Sequence, residues 1–85
     1  MKCYISGKVQ GVWFRASAKD EADRLGLTGF AHNLADGRVE IFACGEQEKL
    51  DLFFAWLKHG PPLAKVIELN RQDLPWQKQN GFSVF

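Results

Sequence analysis

The stretch Gly7-Lys8-Val9-Gln10-Gly11-Val12-Trp13-Phe14-Arg15 sets glycines and a permanently charged side chain where an extended run gives way to a helical pattern. Gly7 and Gly11 read as the two glycines of one turn, and Arg15 stands where the helix opens. Backbone N–H groups of such a turn and of the first helical residues face a common point, and a phosphate is the first candidate to sit there. The guanidinium of Arg15 can donate two parallel hydrogen bonds to phosphate oxygens, a geometry that lysine cannot supply. Each feature also has a purely structural reading. Glycine-rich connections from strand to helix are common, and an arginine can form a surface salt bridge, here with Asp20 or with the chain terminus.

Asn33 is the second residue of interest. It offers an acceptor and two donors, so it can hold a water in line with a phosphorus atom without changing protonation state, although an asparagine before a turn is also an ordinary turn former. No carboxylate pair, Ser-His-Asp set or suitably placed cysteine joins these residues. An enzyme built from them must act where the leaving group needs no protonation and the nucleophile needs little help from a protein base. An acyl phosphate meets both conditions. Its leaving group is a carboxylate, and its own phosphate oxygens can take the proton of the attacking water. Positioning and charge stabilisation then carry the catalysis, and no metal is required.

The elements that must position these residues follow from periodicity. Cys3, Ile5, Gly7 and Val9 alternate with Tyr4, Ser6 and Lys8, predicting a half-buried first strand. Phe14, Ala18, Ala22 and Leu25 recur at helical spacing, with Lys19, Asp20, Glu21, Asp23 and Arg24 opposite and Gly26 as a stop, predicting a helix over 14–25. A second strand over 28–34 turns at Asp36-Gly37 into a third over 38–44, as an antiparallel hairpin. After Gly45, Glu46 and Glu48 suit a first helical turn, and Leu50, Phe53, Phe54 and Leu57 form an apolar stripe that His59-Gly60-Pro61-Pro62 ends. Val66, Ile67 and Leu69 predict a fourth strand, 75–80 a polar loop and 82–85 a short closing strand. The order is βαββαβ plus a C-terminal strand. It predicts an α+β, ferredoxin-like split β-α-β sandwich, with an antiparallel sheet and two helices on one face. Strands one and three are then neighbours, and His32, Asn33 and Leu34 return to the corner that holds the glycine turn.

Composition narrows the classes. Eighty-five residues, 46% hydrophobic and 25% charged, predict one domain, 1–85, with a core. No apolar run long enough to span a bilayer and no leader pattern is present, which predicts a cytoplasmic protein with no membrane partner. The net charge of +1 is dispersed, so no nucleic-acid partner is expected and anion recognition must be local. Nothing signals oligomerisation, and a monomer is expected. Cys3 and Cys44 form no C-x-x-C pair and flank no histidine at metal-ligand spacing, which speaks against zinc or thiol chemistry.

The stretch 7–15, followed by Gly29-Phe30-Ala31-His32-Asn33-Leu34-Ala35-Asp36-Gly37-Arg38-Val39-Glu40, closely resembles the two signatures of acylphosphatases. The likeness continues through Gly60-Pro61-Pro62-Leu63-Ala64-Lys65-Val66 to Phe82 and so covers nearly the whole chain. The resemblance implies that Val9, Gln10, Gly11, Val12, Trp13 and Phe14 cradle the phosphate with backbone amides. It also implies that Arg15 grips it and that Asn33 orients the hydrolytic water. It further implies the ferredoxin-like fold, no cofactor, no metal, carboxylic–phosphoric anhydride substrates, and inorganic phosphate as product and inhibitor. Trp13 stands where many relatives carry glycine or another residue; because every amide there can still donate, binding is expected to survive, with the ring shaping the rim of the pocket or the acyl preference. Lys8 replaces a commoner arginine outside the loop. His32 alternates away from Asn33 and is expected to be a strand-face residue rather than a base.

Some relatives carry a disulfide near these strands, but Cys3 and Cys44 fall on opposite faces of the predicted sheet, so two free thiols are expected. Two rivals share the fold. RNA-recognition modules stack bases on the outer sheet face, where Tyr4 and Phe42 would lie, but strand three lacks their Lys/Arg-Gly-aromatic pattern and carries Glu40. An acylphosphatase-like unit of a larger carbamoyl-transfer system is the nearer rival, and a length of 85 residues makes it the less expected reading, since such units normally stand at the front of long multidomain chains.

Overall fold

The computed structural model describes residues 1–75 and 81–85; beyond Pro75, the polar loop expected over 75–80 lies outside the described residues. The elements are β1 (Lys2–Lys8), α1 (Phe14–Leu25), β2 (Thr28–Asn33), β3 (Val39–Cys44), α2 (Gln47–Leu57), β4 (Lys65–Gln72) and β5 (Phe82–Val84). They form a five-stranded sheet in the order β4-β1-β3-β2-β5. The four longer strands pair antiparallel, with Ile5 opposite Val39 and Asn33 opposite that same Val39. β5 departs from the expected all-antiparallel arrangement and adds to β2 in parallel, Gly29 opposite Phe82.

One face of the sheet carries the core. Cys3 and Ile5 of β1, Ala31 of β2, and Val39, Ile41 and Ala43 of β3 form one buried cluster with Phe14, Ala18, Ala22 and Leu25 of α1 and Leu50, Phe53 and Leu57 of α2. Both amphipathic stripes therefore meet the same sheet face, as the 3.6-residue period requires. Phe54, expected in the α2 stripe, is only partly buried and lies beneath Lys58 and Arg71 as a cation–π partner. Trp56, equally half-buried, also packs against the core, its ring centroid 5.9 Å from that of Phe14.

Gly7 needs a correction. It is not part of the turn but lies inside β1, at a register shift against β4 between Ser6 and Gly7. Its φ is 125°, and a Cβ there would stand 2.2 Å from the Lys65 carbonyl oxygen. The glycine is required by the close approach of two strands, not by an anion.

On the outer face, Phe30 stacks on Phe42 and on Phe85, at 5.5 and 5.6 Å between centroids. His32 pairs with Glu40 through Nε2 and Oε1 at 2.5 Å. Hydrogen bonding from His32, then from Tyr4, holds the Glu40 carboxyl below its ordinary range despite partial burial. Phe30, Phe42 and Phe85 of this face thus stack together, and Glu40 is engaged by His32 and Tyr4.

Cys3 and Cys44 are free and buried, Cys3 in the core and opposite Ile41, Cys44 outside the core cluster and opposite Thr28. Burial pushes the Cys3 thiol up to about 11. An aromatic disulfide reagent at pH 8 is expected to leave Cys3 unmodified in the native protein. After unfolding without reductant it should titrate both thiols, and a count of none would refute the unpaired state. For Glu40, a lowered native pKa means that its contribution to stability is complete above the unfolded value of about 4.3 and is lost as pH falls through the lower native value. Denaturant unfolding as a function of pH should therefore show a decline below about pH 4.3 that is shallower in Glu40→Gln.

Candidate active site

The turn between β1 and α1 is built on two left-handed residues, Gly11 at φ 72° and Trp13 at φ 66°. Left-handed residues alternating with ordinary ones fold successive N–H groups into a concave nest suited to an anion. Gly11 meets this demand freely, and nothing lies within 4 Å of where its Cβ would be. Trp13 does not, since an L side chain in this conformation costs about 1–2 kcal/mol. It is the only described non-glycine residue with positive φ.

Trp13 is also the N-cap of α1, and it makes no side-chain capping hydrogen bond. The orphan N–H groups that a serine or aspartate would ordinarily satisfy are left open. The N–H groups of residues 10–16 find no acceptor among the described residues; the first bond of the helix is donated by Ser17 to the Trp13 carbonyl oxygen. The first turn of α1 carries no acidic residue, so the positive end of its dipole is not neutralised. A row of donors with a positive field and no internal acceptor is complementary to phosphate.

Side chains hold this turn from three directions. Val9, Val12 and Phe14 are buried in the core cluster. Gln10 reaches across to the hairpin, its Nε2 donating to the carbonyl oxygens of Leu34 at 2.9 Å and Arg38 at 3.0 Å. The Phe14 ring lies against Gly60, where a Cβ would stand 2.5 Å from Phe14 Cε2. Gln10 was expected only as a backbone donor; its clamp on the hairpin depends on a contact across the fold that local sequence does not announce.

Arg15 extends along the protein surface and donates one hydrogen bond, from Nη1 to the backbone oxygen of Phe85 at 3.0 Å. Of the two structural alternatives weighed from sequence, the Asp20 pair is absent among the described residues, and the contact to the chain terminus is present as this hydrogen bond to Phe85. Its remaining guanidinium donors find no acceptor among the described residues.

Asn33 is the last residue of β2, one residue before the Leu34 carbonyl that Gln10 grips. Its Oδ1 is sealed from solvent and accepts no hydrogen bond among the described residues. Such an orphaned buried acceptor is costly in an otherwise satisfied protein, by about 1–3 kcal/mol. His32 points to the outer face with Glu40, as expected of a strand-face residue.

A cleft of about 400 Å³ opens beside the turn, lined by Val9, Gly11, Trp13, Phe14, Arg15, Ala16 and Val84. Gln10, Val12 and Asn33 do not line it. The structure thus gathers Arg15 and part of the turn around the cleft, and ties the hairpin strand that bears Asn33 to the same turn through Gln10. Among the described residues no three His, Cys, Asp or Glu side chains come together as a possible metal site.

Comparison with known proteins places the chain and its fold in a family. The acylphosphatase family model matches residues 1–84. An acylphosphatase of Legionella pneumophila is 57% identical over 84 residues, covering 99% of this chain and 92% of that protein. Among solved structures, an acylphosphatase from Coxiella burnetii superposes with a TM-score of 0.94 at 40% identity, covering 99% of this chain and 88% of that one. That of Bacillus subtilis gives 0.89 at 36% identity, covering 99% and 94%. With the fold, the open turn and the two signatures all in one chain, this protein belongs to the acylphosphatase family, hydrolases of acyl phosphates.

Proposed function

We propose that the turn from Val9 to Phe14, together with Arg15, holds the phosphate of an acyl phosphate while Asn33 orients the water that attacks it. The observation that carries this assignment is the run of N–H groups over 10–16 without acceptors, at a helix start free of acidic side chains. The orphaned Oδ1 of Asn33 supports the second role, because an acceptor that is otherwise unsatisfied can take a hydrogen bond from a bound water.

The chemistry follows from what is present. Water adds to phosphorus while the bond from phosphorus to the bridging oxygen breaks, and the carboxylate leaves with the electron pair. The proton of the water passes to the phosphate, so acyl phosphate dianion and water become carboxylate and dihydrogen phosphate. The backbone donors and Arg15 stabilise charge on the non-bridging oxygens. Asn33 restricts the water to the in-line approach. No side chain must cycle through a protonation state, which matches the lack of a base in this corner. The proposal extends to metal-independent hydrolysis by a cytoplasmic monomer, inhibited by its product inorganic phosphate and without a nucleic-acid or membrane partner. The dispersed net charge of +1 favours the absence of a nucleic-acid partner.

Hydrolysis of benzoyl phosphate in the presence of a chelator tests these assignments. The wild type should be active, and chelation should leave its rate unchanged. Removing one well-aimed donor to a developing oxyanion costs about 10²–10³ in kcat, so Arg15→Ala should lose at least that in kcat/KM. Asn33→Ala should lose about 10²–10³ in kcat while inorganic phosphate still binds, because water positioning acts on the transition state alone. Undiminished rates in both variants would sink the site assignment, and loss on chelation would sink the metal-free route.

A further inference from the structure

Trp13 is the least economical residue of the loop. It occupies a left-handed backbone conformation that glycine would adopt freely, its ring is 74% exposed, and its side chain caps nothing. Backbone strain of this kind, with a large apolar side chain turned toward solvent, is retained where the side chain has work to do at a site. The ring forms a wall of the cleft that Arg15 enters, and Val84, 40% exposed, is the other accessible large apolar side chain lining it. A cleft of about 400 Å³ is within the range of small-molecule sites and leaves room beside a phosphate for a substantial apolar group.

The geometry of in-line displacement says which group that is. Water enters on one side of phosphorus and the leaving group departs on the other. Asn33, the proposed water holder, does not line the cleft, whereas Trp13 does. We propose that the cleft receives the acyl portion of the substrate and that Trp13 is a specificity-determining residue, its ring packing against aromatic or other bulky apolar acyl groups and favouring them over acetyl. This rests on the reading of the 9–15 turn as the phosphate cradle, and it adds a substrate class to that reading. Aromatic pairs contribute modestly beyond their buried area, so the expected discrimination is about three- to ten-fold.

The test compares kcat/KM for benzoyl phosphate and for acetyl phosphate in the wild type, Trp13→Gly, Trp13→Ala and Trp13→Phe. Glycine releases the backbone strain and alanine keeps it, so the pair separates the ring from the turn's conformation. The expected result is a benzoyl-to-acetyl ratio that falls about three- to ten-fold in both Trp13→Gly and Trp13→Ala and is largely restored in Trp13→Phe. Intrinsic differences in reactivity between the two substrates cancel in this comparison, and a loop that is merely disturbed would lower both rates in proportion. A ratio that stays constant across the series while both substrates are turned over overturns the role of Trp13 and leaves the cradle intact. A wild type that hydrolyses neither substrate overturns the cradle reading itself, and this inference with it.

Discussion

The architecture depends on a set of hydrogen bonds that the protein does not make to itself. Backbone N–H groups from Gln10 to Ala16 are left without acceptors among the described residues, at the one end of α1 where the helix field is positive. Elsewhere such groups are satisfied by caps, turns or ladders, because a polar group left unpaired costs as much as a lost hydrogen bond. C-capping at Gly26 shows the contrast. There the helix closes its far end with N–H bonds back to Ala22 and Asp23. Keeping one end open requires that the turn be held from outside.

That holding is done by the core and by the hairpin. Val9, Val12 and Phe14 are embedded in the sheet–helix interior, so the turn cannot collapse onto its own donors without opening apolar surface. Gln10 adds a second donor to two carbonyl oxygens at the mouth of the β2–β3 hairpin, which already accept backbone N–H bonds there, and so couples the turn to the strand that ends in Asn33. Gly60, after α2, gives the Phe14 ring the space it fills. Each fastening comes from a different part of the chain. The sheet order, with β3 between β1 and β2, is what brings them to one corner.

On the outer face the side chains engage one another. Phe42 is buried beneath Phe30, Phe85 stacks on Phe30 and on His32, and Glu40 is engaged by His32. These contacts also hold Phe85, just beyond β5, whose backbone oxygen accepts from Arg15.

Much of this protein is legible in its sequence because the relevant physics is local. Helical and alternating periods placed α1 at its observed bounds and four of the five strands within a residue, whereas β4 runs three residues beyond the apolar Val66–Leu69 pattern, to Gln72. Asp36-Gly37 gave the hairpin, and the absence of any acid–base set restricted the chemistry to substrates that leave unaided. Alternation alone put Cys3 and Cys44 on opposite faces. Tertiary structure decided what depends on partners distant in the chain. Gly7 looked like a turn glycine and proved to be the point where β1 meets the Lys65 carbonyl, because close approach between strands has no local signature. The parallel pairing of β5, the clamp of Gln10, the isolation of Asn33 Oδ1 and the left-handed backbone of Trp13 belong to the same class. Period and propensity report which face of an element is buried, whereas which neighbour it meets, and which polar atoms are left without one, is settled only when the sheet assembles.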